Sequence, residues 1–97
     1  MISSYLQSQH AVITGAGRGI GAAIAHTLAD AGARLTLIGR SMQPLVTLAA
    51  ELTGSAEHHT VAVDVTDHAG MQNALQEAAE KLGPISILIN NAGQAES

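Results

Sequence analysis

Cysteine is absent from the chain. That excludes disulfides, thiolate zinc sites and a cysteine nucleophile, and it fits a reducing compartment. Phenylalanine and tryptophan are absent too, and Tyr5 is the single aromatic residue. Any core must therefore be assembled from Val, Ile, Leu, Met and Ala. Cations are scarce: four Lys and Arg stand against eight Asp and Glu, a formal net charge of −4. No basic stripe exists for a nucleic-acid backbone to follow. No apolar run approaches the ~20 residues that cross a bilayer. The opening Met1–Leu6 has neither the charged start nor the apolar stretch of a secretory signal. The expectation is a soluble, cytoplasmic protein without nucleic-acid or membrane partners.

What is present is apolar and short. The 97 residues are 46% hydrophobic and 12% charged, which speaks for one small folded domain spanning 1–97 and against a disordered tail. A chain of this size buries a smaller share of its surface than a domain of ~150 residues, so its stability alone is expected to be marginal. No repeats and no low-complexity tracts occur. Four apolar runs alternate with three helical patterns. The runs are Ala11–Thr14, Leu35–Ile38, Thr60–Val63 and Ile85–Ile89. Between them, Ile20, Ile24, Leu28 and Ala31 recur at helical steps, then Leu45, Leu48 and Leu52, then Met71, Leu75, Ala78 and Leu82. Pro44 falls in a first turn, Thr66 or Asp67 can cap the third helix, and Gly32, Gly54 and Gly83-Pro84 end the three patterns.

The order is β-α-β-α-β-α-β. Strands this short and apolar are expected to be buried on both faces, as in a parallel sheet between helices. Right-handed crossovers then give an α/β, Rossmann-type doubly wound sheet, here partial, with strand order 3-2-1-4. In such sheets ligands sit beyond the C-terminal strand ends where the order reverses, between strands 1 and 4. Gly15–Gly21 and Asn90–Gly93 are therefore expected to face one crevice.

The segment Gly15-Ala16-Gly17-Arg18-Gly19-Ile20-Gly21 follows a strand and opens a helix. Glycines there let the backbone approach a diphosphate, and helix amides meet its charge. The plain alternative is a turn that needs glycine; four glycines in seven residues exceed that need. A G-x-G-x-x-G pattern begun at Gly15 would require glycine where Ile20 stands. What stands instead is Thr14-Gly15-x-x-x-Gly19-Ile20-Gly21. Asp64-Val65 closes the third run, and Asn90-Asn91-Ala92-Gly93 closes the fourth. Taken singly, Asp64 serves equally well as a loop cap and the asparagines as a turn.

Together, these three motifs resemble the short-chain dehydrogenase/reductase family, from His10 to Gly93. The resemblance implies nicotinamide dinucleotide as ligand. Thr14, Gly15, Gly17, Arg18, Gly19, Ile20 and Gly21 would then surround the diphosphate, Asp64 and Val65 the adenine, and Asn91, Ala92 and Gly93 the adenosine ribose. Strand 2 ends Gly39-Arg40 without the carboxylate that accepts from the 2′-hydroxyl of NAD. Arg40, with Arg18 across the loop, suits the 2′-phosphate of NADP, so NADP is expected over NAD. The resemblance also implies an alcohol or carbonyl substrate for the full-length parent, with 3-oxoacyl thioesters as one class, and homo-oligomers.

No catalytic residue is assigned. The family's Tyr-x-x-x-Lys does not occur: position 9, after Tyr5, is Gln9, and the one lysine is Lys81. The chain reads as truncated before the catalytic segment, binding cofactor at most, with Ile87–Ile89 left as a sheet edge. A non-catalytic nucleotide-binding or assembly module is the alternative. A methyltransferase-like domain fits less well, because adenosyl hydroxyls want a carboxylate at strand 2. The five histidines are read as surface or capping residues, with no metal expected. His58 and His59 point to opposite faces of a strand, and Glu77 with Lys81 is a solvated helix pair.

Overall fold

A computed structural model describes residues 6–54 and 56–91. The elements run β1 (His10–Thr14), α1 (Gly19–Asp30), β2 (Arg34–Gly39), α2 (Met42–Glu51), β3 (His58–Ala62), α3 (His68–Leu82) and β4 (Ile87–Asn90). The four strands form one sheet in the order β3-β2-β1-β4. Every pairing is parallel, with Val12 opposite Thr36 and Leu88, and Leu37 opposite Thr60. This is the expected α/β Rossmann-type arrangement.

Alternation along the inner strands sorts their side chains to two faces. Ala11, Ile13, Leu35 and Leu37 pack with Ala25, Ala29, Leu45 and Leu48 under α1 and α2. Val12 and Ile38 pack with Ala74 of α3, joined by the partly buried Val61, Val63, Met71 and Leu75. Burying a side chain such as Leu37 contributes roughly 1.5–3 kcal/mol. Burial on both faces holds for β1 and for residues 35–38 of β2. It does not hold for the outer strands. The residues of β3 are half-buried or exposed, and in β4 burial alternates, with Leu88 57% exposed. A strand at the edge has a neighbour on one side only, and among the described elements no helix closes over the outer face of β4.

Helix α1 also departs from its sequence pattern. The expected stripe began at Ile20, yet Ile20 is 65% exposed and the buried residues are Gly21, Ala25 and Ala29. Small residues let this helix lie close to the loop before it, which turns Ile20 outwards. Pro44 sits in the first turn of α2, where its missing N–H has no intrahelical acceptor to lose. Asp67 caps α3 by accepting from Gly70 N at 3.0 Å, and Gly83 ends it at φ +94°. Strand β3 begins two residues earlier than its apolar run and ends at Ala62; Val63 N still donates to Gly39 O at 2.8 Å.

Three histidines correct the surface reading. His10 is fully buried on β1. Its Nδ1 lies 2.9 Å from Gly83 O, and its Nε2 2.8 Å from Thr36 Oγ1. A carbonyl only accepts, so Nδ1 donates, and in the neutral ring Nε2 accepts from the threonine. A polar ring buried among strands is tolerated because both nitrogens are satisfied. His58 is half-buried and its Nδ1 accepts from Leu35 N at 3.1 Å. Burial holds its pKa below the ordinary histidine value. His59 is largely buried as well, with its Nε2 shielded from solvent 3.0 Å from Glu77 Oε2.

Candidate functional site

The chain leaves β1 at Thr14 and must turn at once to start α1. Thr14 is buried, and its Oγ1 donates to Asn90 Oδ1 at 3.1 Å, which ties the ends of β1 and β4 together. Gly15 follows at φ +65°, in the left-handed region that side chains resist. Its carbonyl accepts from Asn91 Nδ2 at 3.2 Å. Gly21 comes to rest on that same carbonyl. A Cβ there would stand 2.2 Å from Gly15 O and 2.9 Å from Asn91 Nδ2, so only glycine fits. Ala16 is buried and its amide donates to Ile38 O at 3.1 Å, fastening the loop to β2. Gly17 packs against Pro44, whose Cβ would lie 3.2 Å from an added methyl.

The far side of the loop is open. Gly19 adopts φ +63°, and nothing stands within 4 Å of where its Cβ would be. Arg18 is the N-cap of α1, with extended backbone and no side-chain capping bond, and the first turn carries no acidic residue. The first amides of a helix have no intrahelical acceptors. Here they face an exposed mouth formed by Arg18, Gly19 and Ile20, with the positive end of the helix behind them. An N-cap without a side-chain bond, an open backbone surface at Gly19 and a first turn without an acidic residue suit a bound phosphate or diphosphate.

A second cluster lies at the ends of β2 and β3. Arg40 is exposed and directly follows Gly39, the last residue of β2. Asp64 lies two residues beyond β3. Its Oδ1 accepts from Thr66 N at 2.9 Å and from Thr66 Oγ1 at 2.8 Å. Those bonds, and behind them the charge of Arg40, hold its carboxyl below the usual carboxylate range. Val65 is half-buried beside it. No carboxylate occupies positions 39–41, so nothing acidic opposes Arg40 at the end of its own strand.

Thr14, the glycine loop and Asn91 thus come together at the ends of β1 and β4, where the strand order reverses. Arg40, Asp64 and Val65 form a rim at the neighbouring strand ends. Ala92 and Gly93 lie outside the described residues. Two contributors escaped the sequence reading of the site. Asn90 was read as part of a motif, yet its carboxamide is what holds Thr14; a polar residue ending an apolar strand was the signal available. Pro44 gave no signal as a neighbour of Gly17, because that contact joins segments far apart in the chain. Among the described residues, no group of three or more His, Cys, Asp or Glu is placed to hold a metal, and no helix is long and apolar enough to cross a membrane.

Comparison with known proteins agrees with this geometry. The family model described as short chain dehydrogenase matches residues 9–97. A 1,6-dihydroxycyclohexa-2,4-diene-1-carboxylate dehydrogenase from Pseudomonas putida is 44% identical over 87 residues, which cover 90% of this chain and 32% of that protein. The crystal structure of a metagenomic short-chain oxidoreductase in complex with NADP superposes with a TM-score of 0.84 at 36% identity, covering 91% of this chain and 40% of the other. A 3-ketoacyl-ACP reductase from Sinorhizobium meliloti 1021 gives a TM-score of 0.77 at 35% identity, over 81% of this chain and 31% of that one. The chain spans about a third of the length of the curated relatives it matches. With the sheet order, the glycine loop and the family match in agreement, the chain belongs to the short-chain dehydrogenase family.

Proposed function

We propose that this chain is the nicotinamide-dinucleotide-binding segment of an oxidoreductase that interconverts an alcohol and a carbonyl. The uncapped N-terminus of α1, presented by a loop in which only glycine fits at position 21, carries the reading. The backbone of Gly15, Gly17, Arg18, Gly19, Ile20 and Gly21 would hold the diphosphate, with Thr14 bracing the loop from β4. Asp64 and Val65 would lie at the adenine, and Asn91, Ala92 and Gly93 at the adenosine ribose. When bound, the nicotinamide supplies or accepts hydride. The residues of this chain bind and orient the cofactor. No tyrosine in the 97 residues precedes a lysine at the family's spacing, so the proton transfer to substrate is not assigned to any of them.

We further infer a preference for NADP over NAD. Arg40 follows β2 directly, Arg18 stands on the opposite side of the loop mouth, and the end of β2 lacks a carboxylate that would repel a 2′-phosphate. The neighbour that contains NADP supports this. The likeness to a 3-ketoacyl-ACP reductase supports 3-oxoacyl thioesters as a substrate class for the full-length protein. A cytoplasmic setting is supported by the lack of cysteine, and homo-oligomers by the family resemblance. Isothermal calorimetry with NADPH and NADH tests the core of the proposal. Heat of binding is expected with both, larger affinity with NADPH, and none with S-adenosylmethionine. Silence toward both reduced cofactors from folded protein would sink it.

A further inference from the structure

We propose that Asp64 is a positioning residue for Arg40, and so sets how sharply the chain separates a phosphorylated from an unphosphorylated adenosine ribose. This rests on the reading of Arg40 given above. Strands β2 and β3 run parallel with Gly39 opposite Ala62, and Val63 N donates to Gly39 O at 2.8 Å. Arg40 and Asp64 are the residues that follow that bond on each chain segment, so both leave the sheet at one corner. The Asp64 carboxylate is fixed in place there, because both bonds from Thr66 fall on Oδ1. After the two Thr66 bonds, the charge of Arg40 helps to hold that carboxyl below the usual carboxylate range.

A fixed carboxylate at this corner has two effects on a long, exposed arginine. It draws the guanidinium toward the end of β3, and it opposes the dianionic phosphate that the guanidinium would bind. An unphosphorylated ribose has no such charge to be opposed. The remainder of Asp64's contacts, toward the adenine, would be common to both cofactors and cancel in the ratio of affinities.

The test is a cycle of Asp64→Asn and Arg40→Ser, with dissociation constants for NADPH and NADH measured by calorimetry. Asparagine keeps the oxygen that Thr66 uses and removes only the charge. In Asp64→Asn the preference for NADPH is expected to rise about two- to fivefold, as befits one screened charge near a dianion. The rise should shrink at about 0.5 M salt and become smaller when Arg40 is serine, since only the direct opposition of carboxylate and phosphate is then left. Asp64→Glu, which keeps the charge, should stay near the parent ratio. If Asp64→Asn weakens both cofactors in parallel, or shifts the ratio equally without Arg40, the inference is overturned while the reading of Arg40 stands. If Arg40→Ser alone leaves the ratio where it was, that reading fails and this inference falls with it.

Discussion

The two halves of the site are built from different materials. Around the glycine loop, position is set by backbone: the Gly15 carbonyl is shared by Asn91 Nδ2 and the close face of Gly21, and Ala16 N is bonded to β2. At the rim, Arg40 and Asp64 are exposed, charged side chains that leave the sheet at neighbouring strand ends. Packed backbone tolerates almost no change of shape, since interiors are as dense as crystals. Exposed charges tolerate change of shape and respond to salt. The loop should therefore decide whether a dinucleotide binds, and the rim which one.

The widest gap between the halves should come from Arg40→Asp. It is expected to reduce NADPH affinity by roughly 1.5–3 kcal/mol, the worth of a charge-assisted bond, with NADH affinity held or raised. Calorimetry with both cofactors checks it. Gly21→Ala sharpens the contrast from the other side. The added methyl meets a carbonyl at 2.2 Å, so the loop must shift. A loss of stability of roughly 1–3 kcal/mol is expected, with both cofactors lost together, read from urea melts and titration. Equal tolerance of alanine here would mean the loop is softer than its packing implies.

Smaller effects follow. Gly19→Ala introduces strain at φ +63° but no clash, so about 1 kcal/mol is expected from conformation alone. Its binding defect should be milder than that of Gly21→Ala. Asp67→Ala removes the side-chain cap of α3 and should cost about 1 kcal/mol of stability; the bond from its amide to Asp64 O is backbone and survives the substitution, so the cofactor ratio is expected to stay unmoved. The least effect is a pH dependence. Burial lowers the folded pKa of His58, so the unfolded chain takes up its proton first. Stability is untouched above the ordinary histidine pKa and falls as pH drops below it toward the folded value. Urea midpoints measured at about pH 7.5 and about pH 5.5 should separate less in His58→Asn than in the parent chain.

Much of this arrangement is legible in the residues alone. The alternation of apolar runs with helical spacing is enough to order seven elements, because two-faced burial imposes one period on strands and another on helices. The glycine loop was legible because so many glycines at one strand end exceed the needs of a turn. The face of α1 was not. Spacing favoured Ile20, yet the helix presses Gly21, Ala25 and Ala29 inward, because close approach to Gly15 rewards small residues over greasy ones. His10 was misjudged for a similar reason. A histidine one residue ahead of an apolar run reads as solvated until Thr36 and Gly83, both remote in sequence, supply partners for its two nitrogens. The unequal burial of inner and outer strands was likewise hidden, since composition does not say which strand lies at an edge.

The sequence by itself determined the periods: where the backbone runs straight, where it coils, where glycine lets it turn, and that no acid follows β2. Those are local matters, settled by sterics and hydrophobicity over a few residues. The fold alone decided which distant groups are brought together: Asn91 on Gly15, Asn90 on Thr14, and the strand ends that carry Arg40 and Asp64 to one corner. Such meetings depend on parallel strands being brought into register across tens of residues, and no local preference encodes that register.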